Sequence, residues 1–244
     1  MRHERKLISL ISILISIISM IFIDQAVAED NRLSTSFSLD SYSNYIWRGR
    51  DISKGFVLQP GIDLIEKQYG FNVMGNFDIK DAKLNELLYT LNYMTKSDDL
   101  ALNFGLVYYE FTAHNHRDTM EAYVSMSAKF VVDAIFTIYY DFLEGKGGFF
   151  ESDFSYSLPI GTLAKLKLAS DFNMDMSNSL LGRGTKNQYF FNFYNGQLMA
   201  SFIIKAANNF VIEPLAAYSY PLTKDAELNI KDEFFYGIRA KLAI

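Results

Sequence analysis

Lys165-Leu166-Lys167-Leu168-Ala169-Ser170-Asp171-Phe172-Asn173-Met174 sorts its side chains by parity. Leu166, Leu168, Phe172 and Met174 fall on even positions, whereas Lys165, Lys167, Asp171 and Asn173 fall on odd ones. Successive side chains of a strand point to opposite faces, so this stretch is a strand with one greasy and one charged surface. The same alternation holds outward in both directions. Phe71, Val73, Phe77 and Ile79 oppose Asn72, Asn76 and Asp78, and Tyr236, Ile238, Ala240, Leu242 and Ile244 oppose Glu233, Arg239 and Lys241. Strands of this kind, about ten residues long and separated by turn residues, predict an all-β fold: a transmembrane, antiparallel, up-and-down β-barrel.

The spacing predicts about twelve strands: 33–46, 56–66, 71–79, 86–94, 100–111, 119–130, 133–143, 149–158, 163–174, 188–205, 210–220 and 233–244. Their connections alternate in length. Segments 67–70, 95–99, 131–132, 159–162 and 206–209 are short, while 175–187 and 221–232 are the longest. An outer-membrane barrel has short periplasmic turns, longer outer loops and an even strand number that leaves both ends in the periplasm. The stretch 188–205 breaks parity at Asn195-Gly196, its apolar residues being odd before it and even after it. A bulge explains that switch and keeps twelve strands; Asn-Gly is also the strongest short hairpin signal, and 10 or 14 strands are the alternatives.

The chain ahead of the strands reads as a signal peptide over 1–28, leaving 29–244 as the barrel. Arg2, Arg5 and Lys6 form a basic start, an apolar core runs to Ile23, and Ala26-Val27-Ala28 is a small-residue cleavage site. An uncleaved anchor is the alternative, because that apolar core is long for a signal. Removing three basic and two acidic residues takes the net charge from −5 to −6, with no basic block, so nucleic acid is not an expected partner. The absence of cysteine excludes disulfides, thiol nucleophiles and a lipoprotein anchor. Phe (21) and Tyr (16) suit strands and interfacial girdles better than they suit a soluble β-sandwich.

Inward parity selects the pore-lining candidates: Asp40, Arg48, Asp63, Asp141, Asp153, Lys165, Lys167, Glu213, Arg239 and Lys241. Asp78, Glu121, Glu151, Asp171 and Lys129 share that face. A lipid-facing Arg or Lys at the bilayer midplane costs about 2 to 4 kcal/mol, which is why the charges take the inner parity. Counting from Leu39, Tyr45 and Trp47 are expected to face lipid. Arg48 is expected to point inward, to pair with Asp40, Asp63 or Glu233, and either to brace the first hairpin or to tune a constriction. Gly49 is expected to adopt a positive φ.

Ser43-Asn44-Tyr45-Ile46-Trp47-Arg48-Gly49, then Val57-Leu58-Gln59-Pro60-Gly61, then Gly70-Phe71-Asn72-Val73-Met74-Gly75-Asn76, resembles the first two hairpins of a family of bacterial outer-membrane proteins grouped with the TorF-type porins. The resemblance continues through Leu91-Asn92-Tyr93 and Val107-Tyr108-Tyr109-Glu110-Phe111. It implies a barrel and a pore, with no substrate established across the family. Such barrels usually finish on an aromatic residue read by the barrel-assembly machinery, and this chain departs by finishing on Ile244.

Function is expected to be porin-like: passive diffusion of small hydrophilic solutes through a narrow, mixed-charge lumen, with outer-membrane lipid and the assembly machinery as partners and no cofactor. A structural or adhesive barrel is the alternative. An outer-membrane lipid hydrolase needs a Ser beside a His; beyond the leader only His114 and His116 occur, with no G-x-S-x-G motif, so no enzyme is expected. His114-Asn115-His116 lacks an evident third metal ligand.

Overall fold

The computed structural model describes residues 33–244 except 54, 98, 113–116 and 183–189, so the expected signal peptide and the two histidines lie outside the described residues. The strands are β1 (Ser34–Tyr42), β2 (Tyr45–Trp47), β3 (Arg50–Ser53), β4 (Val57–Glu66), β5 (Tyr69–Asp78), β6 (Lys83–Ser97), β7 (Leu100–Phe111), β8 (Thr119–Lys129), β9 (Asp133–Asp141), β10 (Gly147–Ile160), β11 (Ala164–Met176), β12 (Phe191–Lys205), β13 (Phe210–Pro221) and β14 (Glu233–Ala243). Twelve of them, β1 and β4 to β14, close a ring in which each pairs antiparallel with its chain neighbour and β14 pairs back onto β1. That seam runs in unbroken register from Ser36↔Ala243 to Tyr42↔Gly237. Closure removes both sheet edges, which is the condition for strands to cross hydrocarbon.

Parity decides which side chains face out. Leu91, Leu106, Val124, Ile138, Leu198, Phe202 and Ile238 are exposed on the outside, while Gln59, Asn76, Glu86, Glu121 and Asp141 are buried inside. Polar residues in and apolar residues out is the reverse of a water-soluble core. Outward aromatics gather at two levels. Phe56 and Tyr236 meet at 6.2 Å near the outer end of the barrel, and Tyr69 meets Tyr93 at 5.3 Å near the end carrying the short turns.

Two local features differ from a plain alternation. In the β11–β12 pairing, Phe172↔Gly196 is followed by Met174↔Phe193, so Tyr194 and Asn195 together stand opposite Asn173. This is a bulge; β12 is one strand, and the ring keeps an even number. The second difference is a correction. The first strand ends at Tyr42 instead of running to residue 46, and Tyr45–Ser53 forms a separate two-stranded hairpin, β2–β3, outside the ring.

Candidate functional site: a hairpin in the lumen above a charged vestibule

Hairpin β2–β3 interrupts the connection from β1 to β4, after a bend at Ser43-Asn44. Trp47 pairs with Arg50 and Ile46 with Asp51, leaving Arg48 and Gly49 as a two-residue turn. Their φ values, 49° and 75°, are both left-handed, the signature of the type I′ turn whose twist suits a tight hairpin. Glycine is needed at the second position for a further reason. A Cβ on Gly49 would lie 2.8 Å from Ile230 Cδ1 and 2.9 Å from Asn195 Cβ, so the turn is pressed against the bulge of β12 and the loop after β13.

Arg48 at the tip is only 8% exposed. Its Nη1 and Nη2 donate to Oε1 and Oε2 of Glu121 at 2.6 and 2.9 Å, a bidentate fork, and its Nε lies 3.8 Å from Glu151 Oε1. The guanidinium carbon sits 4.3 Å from the Phe149 ring centroid, 4.7 Å from that of Tyr139 and 4.8 Å from that of Trp47. Tyr109 Oη donates to Glu121 Oε2 at 3.0 Å, and the Tyr109 ring meets Trp47 edge-on at 5.9 Å. Planar charge, fork geometry and flanking rings are what arginine offers and lysine does not. Around the ring, β9 is six strands from β1 in either direction, and Glu121 and Glu151 flank it on β8 and β10. The hairpin therefore crosses the full diameter of the lumen.

Further bonds hold its flanks. Asn85 Nδ2 and Asn76 Nδ2 donate to Ser53 Oγ at 2.8 and 3.5 Å, Gln59 Nε2 on β4 in turn donates to Asn76 Oδ1 at 3.0 Å, and Arg50 Nη1 donates to the Leu180 carbonyl. Tyr45 hydrogen-bonds Glu86. Over the hairpin, Leu181, Phe190, Ala226 and Ile230 from the loops join Phe149 and Tyr194 in a buried apolar cluster. Between β2–β3 and the β6–β7 wall lies a cavity of about 200 Å³, lined by Trp47, Arg50, Asp51, Ile52, Glu86, Phe111 and Leu180.

Below the hairpin the inner face is charged and wetter. Arg239 stands opposite both Asp40 and Glu213, with N–O separations of 3.9 and 3.8 Å, and its Nε donates to Tyr42 Oη at 2.8 Å. Lys241 Nζ donates to Asp63 Oδ2 at 3.0 Å, and Asn72 Nδ2 donates to Asp63 Oδ1 at 2.6 Å. The Lys241 side chain is 56% exposed, so this pair sits in water. Asp153 and Asp171 face each other across β10–β11, Lys167 lies lower on that face, and Lys165 is exposed near the end of β11. Asp141 is placed differently. It is fully buried at the outer end, where both its oxygens accept from Thr119 Oγ1 at 2.7 Å and Oδ1 also accepts the Leu143 N–H.

The expected partners of Arg48 are corrected by this geometry: Asp40 and Asp63 pair with Arg239 and Lys241, and Glu121 and Glu151 take the guanidinium. Tyr45 and Trp47 are likewise corrected, from the lipid face to the interior. The available signal was Tyr45-Ile46-Trp47 and Arg50-Asp51-Ile52-Ser53 flanking an X-Gly pair, a hairpin pattern rather than a strand end.

No protein-family model matches the chain, and no curated protein matches it. Among solved structures, the NanC porin aligns with TM-score 0.52 at 12% identity, covering 87% of this chain and 100% of that one. The KdgM porin aligns with TM-score 0.54 at 8% identity over 86% of this chain and 99% of that one. The COG4313 outer membrane channel from Pseudomonas putida F1 aligns with TM-score 0.50 at 8% identity over 91% and 98%. What is shared is the architecture. The chain is a twelve-stranded, multi-pass β-barrel of the outer-membrane type.

Proposed function

We propose that the chain is an outer-membrane channel for passive diffusion of small hydrophilic solutes, throttled at its outer half by hairpin β2–β3. One observation carries this reading: a closed ring with a polar, mixed-charge inner face, narrowed above by a latched insert that has a cavity of about 200 Å³ at its side. The cavity beside β2–β3, about 200 Å³, has room for roughly six waters at their share of liquid volume. The same fold in the NanC and KdgM porins supports the reading. Solute movement here needs no covalent chemistry and no cofactor, and outer-membrane lipid around the apolar exterior and the assembly machinery during biogenesis are the partners this role requires.

The packed cluster over the hairpin favours one rival, a closed structural barrel. Planar-bilayer recording of the refolded protein separates the two. Discrete conductance steps in the native chain, enlarged when residues 45–53 are replaced by a short Gly-Ser linker, support a throttled channel. Silence in both proteins refutes it in favour of the structural barrel, and lipid hydrolysis by either would refute the absence of enzymatic activity.

A further inference from the structure

We infer that the cavity between hairpin β2–β3 and the β6–β7 wall is a binding site for a free α-amino acid with an apolar side chain. The inference rests on the channel reading above for how such a solute arrives, and it names the solute class that reading leaves open.

Charges of both signs line this cavity without neutralising each other. Arg50 stands on β3 and Glu86 on β6, and each is held by a partner of its own: Arg50 Nη1 donates to the Leu180 carbonyl, and Tyr45 hydrogen-bonds Glu86. Among the described residues no salt bridge joins the two, although both border one void of about 200 Å³. The bond to Leu180 takes one of the five N–H donors of the guanidinium. Glu86 is 3% exposed, and among the described residues no basic side chain pairs with it; Arg48, committed to Glu121, acts on it through its field only. A buried carboxylate without a countercharge at hand is costly, and a ligand that brings a cation offsets that cost.

The rest of the lining selects the rest of the ligand. Trp47 and Phe111 contribute aromatic surface, and Ile52 and Leu180 aliphatic surface. A solute carrying only a cation meets Glu86 and leaves Arg50 unanswered, whereas one carrying only an anion is set against Glu86 and Asp51; a dipolar ion answers both signs. An ammonium group suits a carboxylate beside aromatic rings, a carboxylate suits the planar fork of an arginine, and an apolar side chain fills the greasy remainder. Pockets for drug-sized ligands begin at about 300 Å³, so this one takes a smaller molecule. Trp47, Arg50 and Ile52 belong to the insert and Glu86 and Phe111 to the ring, so a bound amino acid bridges the two and the site exists only while the hairpin is seated.

Trp47 is the only tryptophan of the chain and lines the cavity, so its fluorescence reads occupancy in the refolded protein in detergent, with no need for conduction. Titration with L-leucine is expected to give a saturable change. Isopentylamine and isocaproate, which are leucine without its carboxylate and without its ammonium group, are expected to bind about tenfold or more weakly. Glu86→Gln should erase the preference for leucine over isocaproate, and Arg50→Gln the preference over isopentylamine, in variants whose unliganded emission matches that of the native protein. The absence of a saturable change with leucine, or equal binding of the three probes by the native protein, overturns the site; variants that keep both preferences overturn it too. Leucine-dependent interruptions of single-channel current support the site and the channel together. Saturable leucine binding in a protein that gives no conductance steps upholds the site and refutes only the channel reading.

Discussion

Arg48→Ala removes the latch of the hairpin without touching the ring, because β2 and β3 pair with each other and with no barrel strand. The loss comprises a buried bidentate ion pair to Glu121 at 2.6 and 2.9 Å and three ring faces within 4.8 Å of the guanidinium. Removing one member of a buried ion pair costs about 3 to 5 kcal/mol, largely because the other charge stays behind unpaired. Here Glu121, fully buried, keeps only Tyr109 and its own strand for company. At about 1.4 kcal/mol per tenfold change, the balance between seated and displaced hairpin shifts by roughly a hundredfold to a few thousandfold. The ring should still close, since the seam and strand pairings are intact, while the urea midpoint should fall because the stranded carboxylate belongs to β8. Single-channel recording is the assay: open probability and mean step size should rise in Arg48→Ala. Arg48→Lys should fall between, keeping the charge and losing the fork and stacking. A double cycle with Glu121→Gln should return a coupling of at least about 1.5 kcal/mol in the seated-to-displaced equilibrium. Native-like currents in a folded Arg48→Ala barrel would refute the latch.

Gly49→Ala forces a Cβ into atoms 2.8 and 2.9 Å away at φ 75°, so it should displace the hairpin at a cost of about 1 to 3 kcal/mol, seen as larger conductance steps. Ile238→Arg places a charge on the lipid face at the middle of β14 and should lower stability in lipid vesicles by about 2 to 4 kcal/mol, read from the urea midpoint. Asp63→Asn breaks a pair whose lysine is 56% exposed and should change that midpoint by less than about 1 kcal/mol; a larger loss would mean that the vestibule is drier than described.

The barrel was legible because period two is enforced at every lipid-facing position, each with the same hydrocarbon as its environment. Thus Lys167 and Leu168 reveal their faces without any knowledge of the rest of the chain. The hairpin was not legible in this way. Parity counted from Leu39 holds only while one strand continues, and the bend at Ser43-Asn44 ends it; beyond that bend Trp47 answers to Tyr109, and Arg48 to a carboxylate 73 residues away. Such partners are set by tertiary packing, which local alternation does not encode. The bulge at Tyr194-Asn195 lies between these cases: the phase slip showed in the sequence, and the ring's even number decided its meaning.

The position of the hairpin also constrains how the molecule can be put together. It follows the first strand made, yet the residues that receive its tip belong to β8 and β10, on the far side of the circle. On a half-built sheet Arg48 has nowhere to dock, so the insert waits until the staves curve round and the last of them meets the first. The latch is thus a report of completed closure, like a dowel that seats only once the cask is hooped.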